Sequence, residues 1–188
     1  GLDGEIRPIS GILPIVREAA RRGIGTCIIP WDNRVEGSVI PGIRIRGVRN
    51  IHQLTAFLQE PDADRQEELL ATQPCTTQEI LEKEQYGTGS DFSEIKGQEI
   101  ARRAAEIAAA GFHNLLMSGP PGGGKSMIAR AMAGILPPMT WQESIEVTAI
   151  YSVAGMLDQE NPLILRRPFQ SPHHTISGAA LIGGGIHT

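Results

Sequence analysis

The run Gly119-Pro120-Pro121-Gly122-Gly123-Gly124-Lys125-Ser126 sets glycine, lysine and a hydroxyl at the spacing G-x-x-x-x-G-K-[ST]. Those residue types at those positions suit one ligand chemistry, a polyphosphate. A densely anionic group needs many donors close together. Glycines at 122, 123 and 124 let the backbone curl until successive N–H groups point inward. A helix beginning at Lys125 adds its positive N-terminal dipole to the same spot. Lys125 is expected to reach the β- and γ-phosphates and to stabilise charge that builds up during transfer, a catalytic role. Ser126 offers its hydroxyl to Mg²⁺. The expected cofactors are therefore ATP and Mg²⁺, held by Gly119, Pro120, Pro121, Gly122, Gly123, Gly124, Lys125, Ser126 and the adjoining Met127, with Ser126 as the metal contact.

Such a loop must be held between a strand and a helix. Leu115-Leu116-Met117 reads as a short buried strand, and Met127, Ile128, Ala131, Met132 and Ile135 form the apolar stripe of a helix ending near Gly134 and Pro137-Pro138. Upstream, Glu99 to Ala110 reads as a helix with Ile100, Ala104, Ile107 and Ala108 inward. Downstream, Thr140-Trp141-Gln142-Glu143 is a capping box opening a helix to about Ser152, with Ile145, Thr148, Ala149 and Ser152 on one side. Residues 1–58 hold a second pattern. Gly11-Ile12-Leu13-Pro14 opens a helix with Ile12, Ile15, Val16, Ala19 and Ala20 as its stripe and Gly23 as its stop. Thr26–Pro30 and Ile43–Val48 read as strands, and Ile51, Leu54, Phe57 and Leu58 mark another amphipathic helix. Residues 59–91 are polar and acidic, and read as a solvated linker with one short helix around Thr77–Glu84.

The 188 residues are 40% hydrophobic and 20% charged, which excludes wholesale disorder, and 4% aromatics leave the core to aliphatic side chains. The 22 Gly and 13 Pro point to many tight turns. No apolar run approaches the ~20 residues of a membrane span. Two cysteines, Cys27 and Cys75, make neither a disulfide framework nor a zinc site and fit a reducing cytoplasm. The net charge of −4 argues at first against nucleic acid, but it is unevenly spread: residues 1–57 carry +3, 58–95 carry −8 and 96–188 carry +1. The acidity belongs to the middle. Arg44, Arg46 and Arg49 read either as a solvated strand face or as phosphate contacts. No initiator Met and no signal-peptide layout open the chain, and both ends read as cuts through a longer polypeptide.

Residues 2–12, Leu2-Asp3-Gly4-Glu5-Ile6-Arg7-Pro8-Ile9-Ser10-Gly11-Ile12, resemble the closing half of the Lon-protease-type fold. Where that family places a catalytic lysine, this chain has Leu13, which can neither take nor hold a proton. A serine–lysine dyad requires both. Residues 1–58 are thus expected to be a non-catalytic structural domain. Asp91-Phe92-Ser93-Glu94-Ile95-Lys96-Gly97-Gln98 ahead of the helix resembles the AAA+ ATPases, and the resemblance implies that Ile95 and Gly97 line an adenine pocket, although Ile95 also suits a core. Ala108–Leu116, Gly134–Met139, Val147–Gly155 and Arg167–Thr175 are similar to the magnesium-chelatase-like ATPases of the YifB/ComM competence family. The implied fold class is α/β: the first half of a P-loop NTPase (AAA+) three-layer αβα core over 92–188, preceded by part of a Lon-like (ribosomal S5 domain 2-like) α/β domain over 1–58 and the linker 59–91.

That resemblance implies a cytoplasmic, hexameric, ATP-driven ring acting on single- or double-stranded DNA as a helicase. A chelatase-like motor that remodels a protein, and a nucleotide-gated module without turnover, are the alternatives. His173, His174 and His187 invite a metal reading, but no cysteine or acid cluster accompanies them, and a loop contacting DNA or a neighbouring subunit is preferred. Hydrolysis also needs an apolar strand ending in Asp-Glu, a polar sensor and an arginine from the next subunit. The acids after Ser126 are Glu143, Glu146, Asp158 and Glu160, none of them ending an apolar strand. These 188 residues alone are therefore expected to hydrolyse ATP negligibly.

Overall fold

The structure is a computed structural model that describes residues 3–75, 77, 92–158, 162–173 and 175–178. Its elements are α1 (Ile12–Arg21), β1 (Thr26–Pro30), α2 (Arg34–Gly37), β2 (Arg44–Val48), α3 (Ile51–Gln59), α4 (Ala63–Leu69), β3 (Thr72–Gln73), α5 (Glu99–Gly111), α6 (Lys125–Ile135) and α7 (Trp141–Val153), with 3-10 turns at Trp31–Asn33 and Phe92–Glu94. They fall into two compact units, one of Gly1–Gly89 with Pro138–Arg166 and one of Ser90–Pro137 with Arg167–Thr188.

In the first unit β1 runs parallel to β2, with Thr26 opposite Arg44 and Pro30 opposite Val48, and β3 joins β2 antiparallel. Ile29 and Ile45 point from the sheet into one core with Ile12, Leu13 and Val16 of α1. α1 closes on Gly23 in a Schellman turn: Ile24 N–H donates to the Ala19 carbonyl at 3.0 Å and Gly23 N–H to that of Ala20 at 3.0 Å. Its inner face differs from the expected stripe in one place. Leu13 is fully buried while Ile15 is 55% exposed. Helix α3 caps on Asn50 Oδ1, which accepts the Gln53 N–H at 2.9 Å, and inserts Phe57 beside Val48 and Leu70.

Residues 59–75 are not the solvated spacer their composition suggests. Asp62 caps α4 through bonds from the Asp64 and Arg65 N–H groups, and Leu70 is buried at 1% exposure. The acidic surface of α4 has a use. Glu67 pairs with Arg46 at 2.5 Å, and Arg46 also donates to the Leu70 carbonyl and lies over the Phe57 ring. Arg46 is thus 8% exposed, not on a solvated strand face. The short helix expected around 77–84 lies, beyond Thr77, outside the described residues.

Helix α7 belongs to this same unit. Its capping box is formed, with Thr140 Oγ1 accepting from Glu143 N–H and the Glu143 carboxylate accepting from Thr140 N–H at 2.7 Å. Ile145 joins the α1–sheet core with Leu163. Three buried hydroxyls at a four-residue spacing are each bonded: Ser144 to the Ile164 carbonyl, Thr148 to the Ser144 carbonyl at 2.7 Å and Ser152 to Glu36 Oε1 at 2.5 Å. Glu36 Oε1 also accepts the Leu13 N–H at 3.0 Å, supplying the helix-start partner that Gly11 lacks a side chain to provide.

In the second unit α5 and α6 pack with the Phe92–Glu94 turn around Phe92, Ile95, Ala105, Ile128 and Ala131. The inner face of α5 is Ala105, Ala108 and Ala109, whereas Ile100 is 89% and Ile107 52% exposed, contrary to the expected stripe. Ala105 is the α5 residue that joins Ile128 and Ala131 of α6 in this core, and the two isoleucines stay outside it. The buried strand expected at Leu115–Met117 is also absent. Residues 113–120 carry neither helix nor strand, no described segment pairs with them, and Leu116 is 94% exposed. A strand exists only with a hydrogen-bonded neighbour.

Candidate nucleotide-phosphate site

The glycine loop enters α6 through two left-handed residues, Gly122 (φ 79°) and Gly124 (φ 79°). A side chain at either would be strained in that conformation, so these two glycines answer to the turn itself. Gly123 N–H donates to the Pro120 carbonyl at 3.3 Å and Ile128 N–H to that of Gly124 at 3.0 Å. Helix α6 therefore starts on a bare backbone cap, with no side-chain cap and no acid in its first turn. Among the described residues no carboxylate lies in that first turn or in the hollow over it, the electrostatic setting that favours an anion.

Lys125 curls back over the loop, its Nζ donating to the Gly119 carbonyl at 2.9 Å and the Pro120 carbonyl at 2.6 Å. The ammonium is thus held on the loop by neutral acceptors, and a phosphate, as a charged acceptor, binds it more strongly than they do. Ser126 is exposed at the first turn, and Met127 is 54% exposed beside it. A hollow of about 460 Å³ lies over Pro121–Met127. A second, of about 340 Å³, shares Gly123 and Lys125 with it and extends along Leu115–Pro120 to Gln98, Ile100, Ala101 and Ala104 of α5. None of the described residues lining either hollow is acidic.

The structure therefore brings together the whole run from Gly119 to Met127. Ile95 lies elsewhere: at 2% exposure it sits in the core against the helix that the loop opens. Gly97 (φ 72°) and Gln98 (φ 53°) form a left-handed step into α5, and Gln98 lines the hollow. Gln98, Ile100 and Ala104 are wall residues that the sequence does not announce. A Gly-Gln pair directly ahead of a helix is their one available signal, and it does not say which face of α5 stays open. His173 bonds the Thr175 hydroxyl through Nδ1 at 2.8 Å, and no group of three metal-ligating side chains occurs among the described residues. His174 and His187 lie outside the described residues.

Comparison with known proteins adds the lineage. Residues 91–188 match the family model described as magnesium chelatase, subunit ChlI. Along 98% of its length the chain is 45% identical over 184 residues to an uncharacterized protein of Mycobacterium tuberculosis, 37% identical over 188 residues to the competence protein ComM of Haemophilus influenzae, and 34% identical over 184 residues to the uncharacterized protein YifB of Escherichia coli. It covers 34%, 35% and 34% of those relatives, about a third of each. A mixed α/β chain with this glycine loop, matched over its second half by that model and over nearly its whole length by ComM and YifB, belongs to the magnesium chelatase family, among its ComM- and YifB-like members.

Proposed function

We propose that this chain carries the nucleotide-binding part of an AAA+-type ATPase that works as an ATP-driven motor on DNA. One observation carries the reading. Helix α6 begins on a left-handed glycine loop with Lys125 folded over it and no acid in its first turn. That cradle fits an ATP–Mg²⁺ group: it offers backbone donors, one cation and one hydroxyl, and an added Cβ at Gly119 or Gly122 would meet nothing within 4 Å, so the backbone is open to close approach. When bound, the nucleotide with its magnesium supplies a phosphoryl group activated for transfer to water.

The chain's own residues do the holding. The loop N–H groups would hold phosphate oxygens, Lys125 would exchange the Gly119 and Pro120 carbonyls for phosphate oxygens, and Ser126 would offer its hydroxyl to the metal. Ile100 and Ala104 give the hollow an apolar wall for the base. No described lining residue is a carboxylate that could orient water, and in this reading the 188 residues bind nucleotide without appreciable turnover. In this reading residues 92–188 are the first half of a P-loop core. Residues 1–58 are a non-catalytic Lon-like domain with the apolar Leu13 in place of a proton-carrying lysine. The working protein is a cytoplasmic hexamer, as the ComM- and YifB-like resemblance implies.

Titration with a fluorescent ATP analogue and Mg²⁺ tests the site. Lys125→Ala is expected to weaken binding at least about tenfold, the value of one charge-assisted hydrogen bond. Equal affinity in the variant, or brisk hydrolysis by the unaltered chain, would sink the proposal. Stimulation of the full-length ATPase by DNA tests the substrate, and stimulation by a protein partner alone would overturn the DNA reading.

A further inference from the structure

The first unit holds two cations against one aromatic ring. The guanidinium of Arg34 lies 4.0 Å and that of Arg49 4.1 Å from the centre of the Trp31 ring. Local chemistry fixes the arrangement. Trp31 sits in the 3-10 turn after β1, and Arg34, one turn on, donates to the Trp31 carbonyl at 2.9 Å. Arg49 follows β2 and is set in place by its backbone, whose N–H donates to Gln53 Oε1 at 3.0 Å and whose carbonyl accepts the Ile6 N–H at 2.8 Å. Gly47 leaves the room: a Cβ there would meet the Trp31 ring at 3.0 Å and Arg34 Cδ at 3.3 Å.

The charge around the ring is unbalanced. Among the described residues Arg34 and Arg49, like Arg17, Arg44 and Arg65 of the same unit, reach no carboxylate within 4 Å, whereas Arg7, Arg21, Arg22 and Arg46 each do; what sets Arg34 and Arg49 apart is the ring they share. The nearby Glu36 is occupied by the Leu13 N–H, Asn33 and Ser152. Two like charges on one indole repel each other, and cation–π attraction of about 0.5–1 kcal/mol apiece at an exposed site only partly offsets that. An anion within reach of either guanidinium relieves it.

From this geometry we propose that Arg34, Trp31 and Arg49 form a binding site for single-stranded nucleic acid. Guanidinium forks match phosphate oxygens bidentately, and guanidinium and indole groups are the flat surfaces on which unstacked bases stack. A strand has phosphates and bases alternating along it and uses both features. An acidic peptide uses only the charge. The site stands on residues of the first unit and draws on neither the glycine loop nor its nucleotide, so its failure and the failure of the ATPase reading are separately visible.

Trp31 is its own reporter once Trp141→Phe removes the other tryptophan. Titrating oligothymidylate into that variant without nucleotide is expected to change Trp31 emission saturably. The affinity is expected to fall about tenfold for Arg34→Gln and for Arg49→Gln, with the salt slope reduced by about 0.7 per phosphate that is no longer neutralised. Arg21→Gln, which removes the same charge from an exposed, carboxylate-paired position of the same unit, is expected to leave both unchanged. Thermal melts confirm folding, and Arg49→Lys, which keeps the charge, is expected to keep the salt slope while losing affinity. Equal weakening by Arg21→Gln, no saturable emission change, or equal binding of polyglutamate at matched charge would each overturn the site.

Discussion

Leu13 stands where the proposed Lon-like reading would need a lysine. It is fully buried beside Ile12 and Val16, and its own N–H is held by Glu36. A lysine there would have to enter the core uncharged or carry an unpaired ammonium into it. Leu13→Lys is therefore expected to cost more than about 3 kcal/mol of stability and to create no peptidase activity. Urea unfolding followed by Trp31 fluorescence measures the first and a casein digest the second. A well-folded variant that cleaves casein would contradict both. Lys125 is the opposite case: among the described residues it is held by two neutral carbonyls of its own loop and is well placed to change partners.

Among the elements, α4 and β3 are fastened to β2 by Glu67. Its carboxylate accepts the Thr72 N–H at 2.7 Å and the Arg46 guanidinium at 2.5 Å. The Thr72 backbone bond first, then Arg46, hold its pKa below the ordinary glutamate range against the opposing effect of desolvation. A carboxyl with a lowered folded-state pKa stabilises fully above its unfolded value, and that stability is lost as pH falls through the folded one. Melting temperatures of the chain and of Glu67→Gln, compared over pH, are thus expected to differ at neutrality and to converge through and below the usual glutamate range. A gap that stays constant with pH would refute the linkage. α7 is fastened differently, by hydroxyls at 144, 148 and 152 that find partners along a buried face.

For the whole molecule, the informative fact is where α7 resides. The family match covers residues 91–188, yet Pro138–Arg166 cluster with Gly1–Gly89. Ending the chain at Pro137 removes Ile145 and Leu163 from the first core and Ser152 from Glu36. Losing two buried aliphatic residues there is expected to destabilise the first unit by at least about 3 kcal/mol. Denaturant unfolding read by Trp31 checks this, and an unchanged midpoint would mean that α7 is a passenger. No helix among the described residues is long and apolar enough to cross a membrane.

Features that are local were legible in the residues alone. The glycine loop and its helix, the capping box at Thr140 and the stop at Gly23 each depend on residues within a few positions of one another. Backbone conformation and hydrogen-bond supply at that range follow from residue type. Whatever depends on a distant partner was settled only by packing. Polar residues 62–73 became helix and strand because Arg46 and Phe57 were there to receive them. Leu115–Met117 did not become a strand because no described segment pairs with it. Ile100 and Ile107 ended outside while Ala105 joined the core with α6. Arg49 groups by sequence with Arg44 and Arg46 but stands in the fold with Arg34 on Trp31. Burial and pairing are properties of two surfaces, and a linear pattern shows only one of them at a time.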